Sequence, residues 1–169
     1  GDSNTVTDNS NNNSVVGTGN FVDPSDNNDV SGSGNTINDS NQNVVSGLDN
    51  TVTEGSDQNL VGGNNNTLAG SSDDNVVVGG TNTLDDNSNS NVVGGNNNTV
   101  VDVSNDNLVV GSGNNVSANS TGNLVGGTGN NIVNNENVGV TGANNSVQNT
   151  DNALITGSNN NISNATGSI

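Results

Sequence analysis

Aliphatic residues recur at two fixed places in a unit of 15 or 16 residues, which we call a coil. Each coil contains a reference glycine, with one aliphatic residue two positions before it and another five positions after it. The reference glycines are Gly1, Gly17, Gly32, Gly47, Gly63, Gly79, Gly95, Gly111, Gly127, Gly142 and Gly157. The leading aliphatics are Val15, Val30, Val45, Val61, Val77, Val93, Val109, Val125, Val140 and Ile155, and the trailing aliphatics are Val6, Val22, Ile37, Val52, Leu68, Leu84, Val100, Val116, Ile132, Val147 and Ile162. A repeat this short is typical of one turn of a β-solenoid, because helix-pair repeats are longer.

Two asparagine columns keep the same register. The trailing asparagines stand three positions after each reference glycine: Asn4, Asn20, Asn35, Asn50, Asn66, Asn82, Asn98, Asn114, Asn130, Asn145 and Asn160. The leading asparagines stand four positions before it: Asn13, Asn28, Asn43, Asn59, Asn75, Asn91, Asn107 and Asn123. In the last two coils this second column is predicted to slip one residue earlier, to Asn137 and Asn152. Identical amides stacked in register can hydrogen-bond to one another, so asparagine ladders are predicted inside the solenoid.

The positions of strands and turns follow from which residues share a face. Side chains alternate along a strand, so the leading asparagine, the leading aliphatic and the reference glycine are predicted to face inward together. The trailing asparagine and aliphatic form a second inward set. Because the alternation changes between the two sets, a tight turn is predicted just after the reference glycine. A third inward point is predicted at Ser10, Ser56, Ser72, Ser88, Ser104 and Ser120, with Ser40 on a shorter arc.

These patterns predict an all-β fold, a single β-solenoid domain over residues 1–169. It would have about eleven coils, each with two short strands, and Val, Leu, Ile and Asn ladders inside. The composition alone, with 25% hydrophobic residues and a net charge of −17, would favour disorder. The fixed register of the columns outweighs that expectation, because low complexity alone does not keep an asparagine in one place through every coil.

The composition narrows the range of functions. The chain contains no Lys, Arg, His, Cys, Met, Trp or Tyr. It therefore lacks histidine, the usual general base, and the thiol and amine nucleophiles, so we expect no enzyme activity. Without cations to bind phosphates or aromatic residues to stack on bases, no nucleic-acid partner is expected. The longest aliphatic run is three residues, Val76–Val78, so no membrane insertion is expected either.

The carboxylates and the threonines each suggest one alternative ligand, Ca²⁺ for the carboxylates and ice for the threonines. Most acidic residues fall between the strands, as at Asp57, Asp73 and Glu136, and oxygen ligands of this kind suit Ca²⁺. Because the carboxylates are predicted to hold no common column, we expect solvated charge and no cofactor, with Ca²⁺ as the alternative. Threonine recurs four positions after the reference glycine at Thr5, Thr36, Thr51, Thr67, Thr83 and Thr99. An outward threonine array is what an ice-binding solenoid presents, although the strand propensity of threonine also explains the column.

Two segments resemble a known family of surface proteins. Asn75-Val-Val-Val-Gly79 and Asn107-Leu-Val-Val-Gly111 are similar to the coils of trimeric autotransporter adhesin heads, whose repeats carry an Asn-Ser-Val-Ala-Ile-Gly-like segment. The resemblance covers residues 13–162, although the trailing asparagines and the scarcity of alanine depart from the family. It implies a secreted bacterial surface solenoid. We therefore expect an extracellular or cell-surface location, with Gly1 as the N-terminus left after removal of a signal peptide.

The two ends of the repeat predict how copies would assemble. Gly1–Val6 is already in register and Asn159–Ile162 still is, and uncapped coils would add head to tail. We therefore predict a structural subunit of a self-assembling extracellular filament, whose partner is another copy of the chain. The expected junction joins Gly1, Asp2 and Ser3 of one copy to Gly167, Ser168 and Ile169 of the next, with Ile169 buried beside Gly1. The alternative is a surface adhesin or ligand-binding module, for ice or Ca²⁺, from a larger secreted protein.

Overall fold

The computed structural model describes residues 1–7 and 9–166. The regular secondary structure of these residues consists of β-strands, which form two parallel sheets. The 11-stranded sheet contains β1 (Thr5–Val6), β3 (Phe21–Asp23), β5 (Thr36–Asn38), β7 (Thr51–Val52), β9 (Thr67–Leu68), β11 (Thr83–Leu84), β13 (Thr99–Val100), β15 (Asn115–Ser117), β17 (Asn131–Val133), β19 (Ser146–Gln148) and β21 (Asn161–Ser163). The 10-stranded sheet contains β2 (Ser14–Thr18), β4 (Asp29–Ser33), β6 (Val44–Leu48), β8 (Leu60–Asn64), β10 (Val76–Gly80), β12 (Val92–Asn96), β14 (Leu108–Ser112), β16 (Leu124–Thr128), β18 (Gly139–Ala143) and β20 (Leu154–Ser158).

Neighbouring strands in each sheet come from successive coils, so the chain winds as a β-solenoid of about ten turns. The pairing has no offset between coils. Val77 in β10 lies beside Val93 in β12. Leu84 in β11 lies beside Val100 in β13. Each branched side chain thus packs on its counterpart in the next coil, which favours strands. The predicted all-β solenoid is confirmed.

The aliphatic columns form the core in the middle of the stack. Leading and trailing aliphatics from Val22 to Ile155 are at most 4% exposed. In β1, at the open end of the stack, Val6 is 48% exposed. The predicted third inward point is also present and continues through further members: Ser25, Ser40, Ser56, Ser72, Ser88, Ser104, Ser120, Asn135 and Thr150 are buried. We call this set the serine column.

Three corners with left-handed backbone turn the chain around each coil. The glycine corner lies just after the reference glycine, as at Asn97 (φ 56°). The serine corner precedes the serine column. It has two left-handed residues in 16-residue coils, such as Asp86 and Asn87, and one in 15-residue coils, such as Asp39, except in the coil where Pro24 precedes Ser25 and none is left-handed. The leading corner precedes the leading asparagine, as at Asp74 (φ 58°). Asn, Asp and Gly tolerate this conformation better than other residues, which is why the arcs are rich in them.

The reference glycines do not face the interior, contrary to the sequence-based prediction. They lie at the glycine corner, partly exposed, with φ between 101° and 130° from Gly17 to Gly157. A Cβ at Gly79 would overlap the carbonyl oxygen of Gly95 in the next coil. The missing side chain therefore points along the stack, and glycine is required by close approach of two backbones rather than by the core.

The predicted slip of the leading asparagines in the last two coils is also wrong. Val138 and Ala153 take the buried inward position there, whereas Asn137 and Asn152 are exposed at the leading corner with φ of 56° and 54°. The backbone N–H of Val138 still donates to Oδ1 of Asn123, at 2.9 Å. The register of the coil is therefore kept, and an apolar side chain replaces the amide.

Candidate functional site

The trailing asparagines form a hydrogen-bonded ladder at the glycine corner. The side-chain nitrogen of Asn82 donates to Oδ1 of Asn66 (3.0 Å) and to the carbonyl oxygen of Gly95 (2.9 Å). Oδ1 of Asn82 accepts from the backbone N–H and the side-chain amide of Asn98, both at 3.1 Å. Each amide therefore uses both its donors and its acceptor, at a corner where the backbone ladder is interrupted.

The ladder extends through the whole described stack. Its members are the predicted residues Asn4, Asn20, Asn35, Asn50, Asn66, Asn82, Asn98, Asn114, Asn130, Asn145 and Asn160. All except the end members are buried. A buried amide without partners would be costly, so each coil depends on its neighbours for stability.

The leading asparagines form a second, less complete ladder. Oδ1 of Asn75 accepts the backbone N–H of Asn91 at 2.8 Å, and the side-chain nitrogen of Asn91 donates to the carbonyl of Ser104 at 2.9 Å. The side-chain nitrogens of Asn59 and Asn75 are buried without a hydrogen-bond partner. The shared role of this column is thus to accept a backbone N–H from the next coil.

The serine column performs the same role at the serine corner. The backbone N–H of Ser72 donates to Oγ of Ser56, and that of Ser88 donates to Oγ of Ser72, both at 3.1 Å. Its recurrence in the sequence indicated an inward position but not this bond. The reason for the column is that a corner N–H, turned away from the strand ladder, needs a side-chain oxygen.

The carboxylates are more ordered than the sequence analysis predicted. Five of them, Asp26, Asp57, Asp73, Glu136 and Asp151, stand six residues before a reference glycine, in one column with Asn11, Asn41, Asn89 and Asn105. We call this set the outer acidic column. The N–H of Asp57 donates to Oδ1 of Asp73 (2.7 Å), and the N–H of Asp73 donates to Oδ1 of Asn89 (2.6 Å). The prediction of no common column is therefore wrong for these five, although the other acidic residues lie outside the column. Asp and Asn interchange because both offer an oxygen to the same N–H.

Asp73 has the most distinctive electrostatic environment in this column. Burial raises the pKa of its carboxyl above the ordinary value, and the negative charges of Asp57 and Asp74 raise it further. The hydrogen bond from the backbone N–H of Asp57 acts in the opposite direction. Within residues 1–7 and 9–166, no three acidic side chains converge as ligands for a metal ion. The column is thus a row of hydrogen-bond acceptors.

An open polar groove runs beside the last coils. It is lined by Asn119, Thr121, Asn134, Asn135, Glu136, Asn149 and Asp151. Oδ1 of Asp151 accepts the backbone N–H of Glu136 at 3.1 Å, so this acid is already used within the stack. The groove offers amides and two carboxylates, which can form hydrogen bonds with a polar ligand.

The first half of the predicted junction lies at the open end of the stack. The carbonyl of Asp2 accepts the N–H of Gly19 at 3.1 Å, and Ser3 is left-handed with φ of 62°. Gly1, Asp2 and Ser3 therefore form a glycine corner like that of the next coil. Gly167, Ser168 and Ile169 lie outside the described residues, so the predicted contact of Ile169 stays a prediction.

The outward side of the 11-stranded sheet carries the predicted threonine column. Thr36, Thr51, Thr67, Thr83 and Thr99 pair in register from strand to strand. Phe21 occupies the column in β3, and asparagine takes over from Asn115 in β15. The array is therefore regular over five coils in the middle of the stack.

A scan against protein-family models finds none that matches this chain, and a search of curated proteins finds no significant relative. The similarity to adhesin-head coils therefore rests on the short segments quoted above. Among the described residues no helix has the length and apolar character needed to cross a membrane.

Proposed function

We propose that the chain is a structural subunit of an extracellular filament in which the coils of successive copies stack head to tail. The observation that carries this proposal is the equivalence of the contacts between coils. Asn82 donates to Asn66 as Asn130 donates to Asn114, at 3.0 Å in both pairs. A stack with the same donors on one side and the same acceptors on the other can be extended by another copy without a new kind of contact.

Within the described residues, β1 lies at the edge of its sheet. Val6 on it is 48% exposed, whereas Val22 in the next coil is fully buried. In the proposed filament, a coil from another copy pairs with β1 and covers Val6. Burying this side chain would contribute about 1 kcal/mol to the junction, in addition to the hydrogen bonds of the ladders.

The charge and composition fit an exposed, durable fibre. Most acidic residues lie between the strands, where their repulsion keeps stacks soluble. With no Cys or Met, the chain has no sulfur to oxidise, and with no Lys or Arg it offers no site to trypsin-like proteases. These properties support an extracellular location.

The proposal is tested by electron microscopy and sedimentation of the purified chain and of a matched pair of variants. Val6→Asp places a charge on the open core, and Thr5→Asp places the same charge on the outward side of the same strand. We expect filaments from the wild type and from Thr5→Asp, and single rods from Val6→Asp. Rods of about 50 Å, ten turns at about 4.8 Å each, in every sample and at every concentration would contradict the proposal.

A ligand-binding module from a larger surface protein is the second candidate, and the threonine column is the observation that favours it. Five threonines in register, from Thr36 to Thr99, form a flat array with a repeat of about 4.8 Å. If the array binds ice, the wild type will show thermal hysteresis and Thr67→Leu will reduce it, while Thr141→Leu on the other sheet will not. Absence of hysteresis in the wild type eliminates ice as the ligand.

A further inference from the structure

The outer surface of the 10-stranded sheet carries a column of exposed aliphatic side chains. From β6 to β16, the position three residues before the reference glycine is aliphatic in every strand: Val44, Leu60, Val76, Val92, Leu108 and Leu124. All except Val76 are between 40% and 49% exposed. The same position is occupied by Ser14 in β2 and Asp29 in β4, so the fold does not require an aliphatic residue there.

Glycines beside this column are not required by the fold either. Gly62, Gly94 and Gly126 stand one residue before a reference glycine, and their φ angles lie outside the left-handed region. A Cβ added at any of them would meet no atom closer than 3.6 Å. Glycine weakens a strand, and where the backbone does not need it, it often marks the close approach of another backbone. In β10 and β14 the position holds Val78 and Val110, so glycine and valine alternate from coil to coil.

We call the outward surface of β6, β8, β10, β12, β14 and β16 the neutral face. These six strands contain no charged residue, although the chain carries a net charge of −17. A second copy can therefore approach this face without bringing like charges into contact. A basic partner, in contrast, would find no opposite charge on it.

The sheet is also large enough for a stable interface. Ten strands at about 4.8 Å and five residues at about 3.3 Å give its outer surface an area of about 800 Å². This is the area that each partner contributes to a standard protein–protein interface. The neutral face forms its centre, where apolar residues contribute most to affinity.

We propose that the neutral face binds the neutral face of a second copy, sheet against sheet, with the two solenoids antiparallel. A two-fold axis parallel to the strands, between β10 and β12, places Val78 of each copy against Gly94 of the other. It likewise places Val110 against Gly62. Every valine of the alternating column then meets a glycine, and the aliphatic column packs on itself. A parallel pair whose two-fold axis runs along this column would oppose valine with valine and glycine with glycine, which leaves gaps. This pairing is lateral and does not depend on head-to-tail stacking.

The orientation is tested by cross-linking introduced cysteines with a short bis-maleimide. The chain contains no cysteine of its own, and facing sheets about 10 Å apart are too distant for a direct disulfide. Residues 62 and 110 lie three coils apart in one chain, about 14 Å, which is farther than the distance between facing positions of two sheets. We expect treated Gly62→Cys/Val110→Cys to form a covalent dimer and each single variant to form none. A double variant that forms no covalent dimer, or a single variant that cross-links as well as the double one, would overturn the antiparallel pairing.

The face itself is tested with Leu108→Asp and the matched variant Asn87→Asp, which adds the same charge at an exposed corner. Asp29 occupies the position of Leu108 in another coil, so the monomer is expected to keep its circular dichroism and melting temperature. Sedimentation equilibrium at tens of micromolar is carried out with Val6→Asp present in every sample, which blocks head-to-tail stacking. The Val6→Asp chain and its Asn87→Asp variant are expected at twice the chain mass. Its Leu108→Asp variant is expected at the single mass, with a dissociation constant raised at least about 100-fold. A monomeric Val6→Asp chain, or pairing that Leu108→Asp does not weaken, would overturn the proposal.

Where filaments form, the same variants separate this inference from the proposed function by mass per unit length in the electron microscope. Lateral pairing predicts that Leu108→Asp filaments have half the mass per length of wild-type filaments and similar lengths. Equal mass per length in the two samples would overturn lateral pairing while leaving head-to-tail stacking in place.

Discussion

Two corners of each coil rest on asparagine and left-handed backbone, yet only the glycine corner keeps the same glycine and the same asparagine in every coil. At the glycine corner every coil has the reference glycine and the trailing asparagine. At the leading corner the left-handed residue is Asn, Gln, Asp, Ser or Gly. The asparagine that follows it gives way to Val138 and Ala153 in the last two coils with that position.

The difference comes from what lies next to the backbone. A Cβ at Gly95 would overlap the carbonyl of Gly111, and that carbonyl also accepts the side-chain N–H of Asn98 at 3.1 Å. A Cβ at Gly122, on the leading corner, would first meet the flexible side chain of Asn137. Sterics and hydrogen bonding therefore fix the reference glycine and the trailing asparagine, whereas the leading corner needs only a residue that accepts a positive φ.

The largest effect on the free energy of unfolding is expected from replacing a corner glycine, Gly95 or Gly122, with alanine. Gly95→Ala should lower the free energy of unfolding by at least about 3 kcal/mol, because its Cβ has no room and its φ of 110° is unfavourable. Gly122→Ala should cost about 1 kcal/mol, the ordinary penalty of a left-handed alanine. Denaturant unfolding of both variants measures the difference. Equal losses of unfolding free energy at the two sites would show that the two corners do not differ in this way.

A smaller loss of stability is expected when valine replaces the trailing asparagine Asn98 or the leading asparagine Asn91 of one coil. Asn98→Val removes an acceptor used by Asn114 and leaves the Gly111 carbonyl without its donor, so it should cost about 3 kcal/mol. Asn91→Val should cost about 1 kcal/mol, because Val138 shows that the position accepts an apolar residue. Thermal unfolding compares them, and an Asn91→Val loss as large as that of Asn98→Val would contradict the account.

A still smaller effect is expected at Asp73 in the outer acidic column, next to the leading corner. Its folded pKa is raised by burial and by the charges of Asp57 and Asp74, so its ionised form destabilises the fold. Stability should therefore fall as the pH rises through the raised pKa, and remain lower above it. Asp73→Asn should raise the melting temperature at pH 7 and have no such effect below about pH 3, where the acid is protonated in both states. The exposed Asp106→Asn is the control, and an equal gain from it would indicate a general charge effect.

Chelation of divalent metal ions is expected to have no effect on stability. No three acidic side chains in the described residues converge as ligands, and the ordered carboxylates already accept backbone N–H groups within the stack. EDTA should therefore leave the melting temperature unchanged when ionic strength is held constant. A fall of several degrees would show that the outer acidic column holds Ca²⁺ between coils.

The sequence was sufficient to predict the coils, the core columns and the trailing asparagine ladder, because each repeats with an unchanged residue type. Val77, Leu84 and Asn82 lie where their columns predict. The sequence also predicts the inward position of the serine column, but not the hydrogen bond that each Oγ accepts from the backbone N–H of the next coil. These features depend on alternation along a strand and on stacking of like residues, which a fixed register expresses directly.

The remaining features depend on three-dimensional contacts that residue types do not reveal. Alternation along the strand predicts that the reference glycines face inward. The left-handed corner interrupts the alternation, and the glycines contact the next coil along the axis. The outer acidic column was hidden because Asp73 and Asn89 perform the same task with different residues. At the leading position of the next-to-last coil, the same residue type stands at a different place in the structure. Val138 is the buried residue there, and the neighbouring Asn137, which the sequence suggests as the leading asparagine, is exposed.

Cryo-electron microscopy of assemblies of the purified chain tests the central claim most directly, because it shows what lies beyond Asn4 at the open end of the stack. The account predicts long filaments in which layers about 4.8 Å apart continue across each junction and the trailing asparagine of another copy stacks on Asn4. Discrete rods of about ten layers, with Asn4 and Val6 facing solvent at all concentrations, would contradict it.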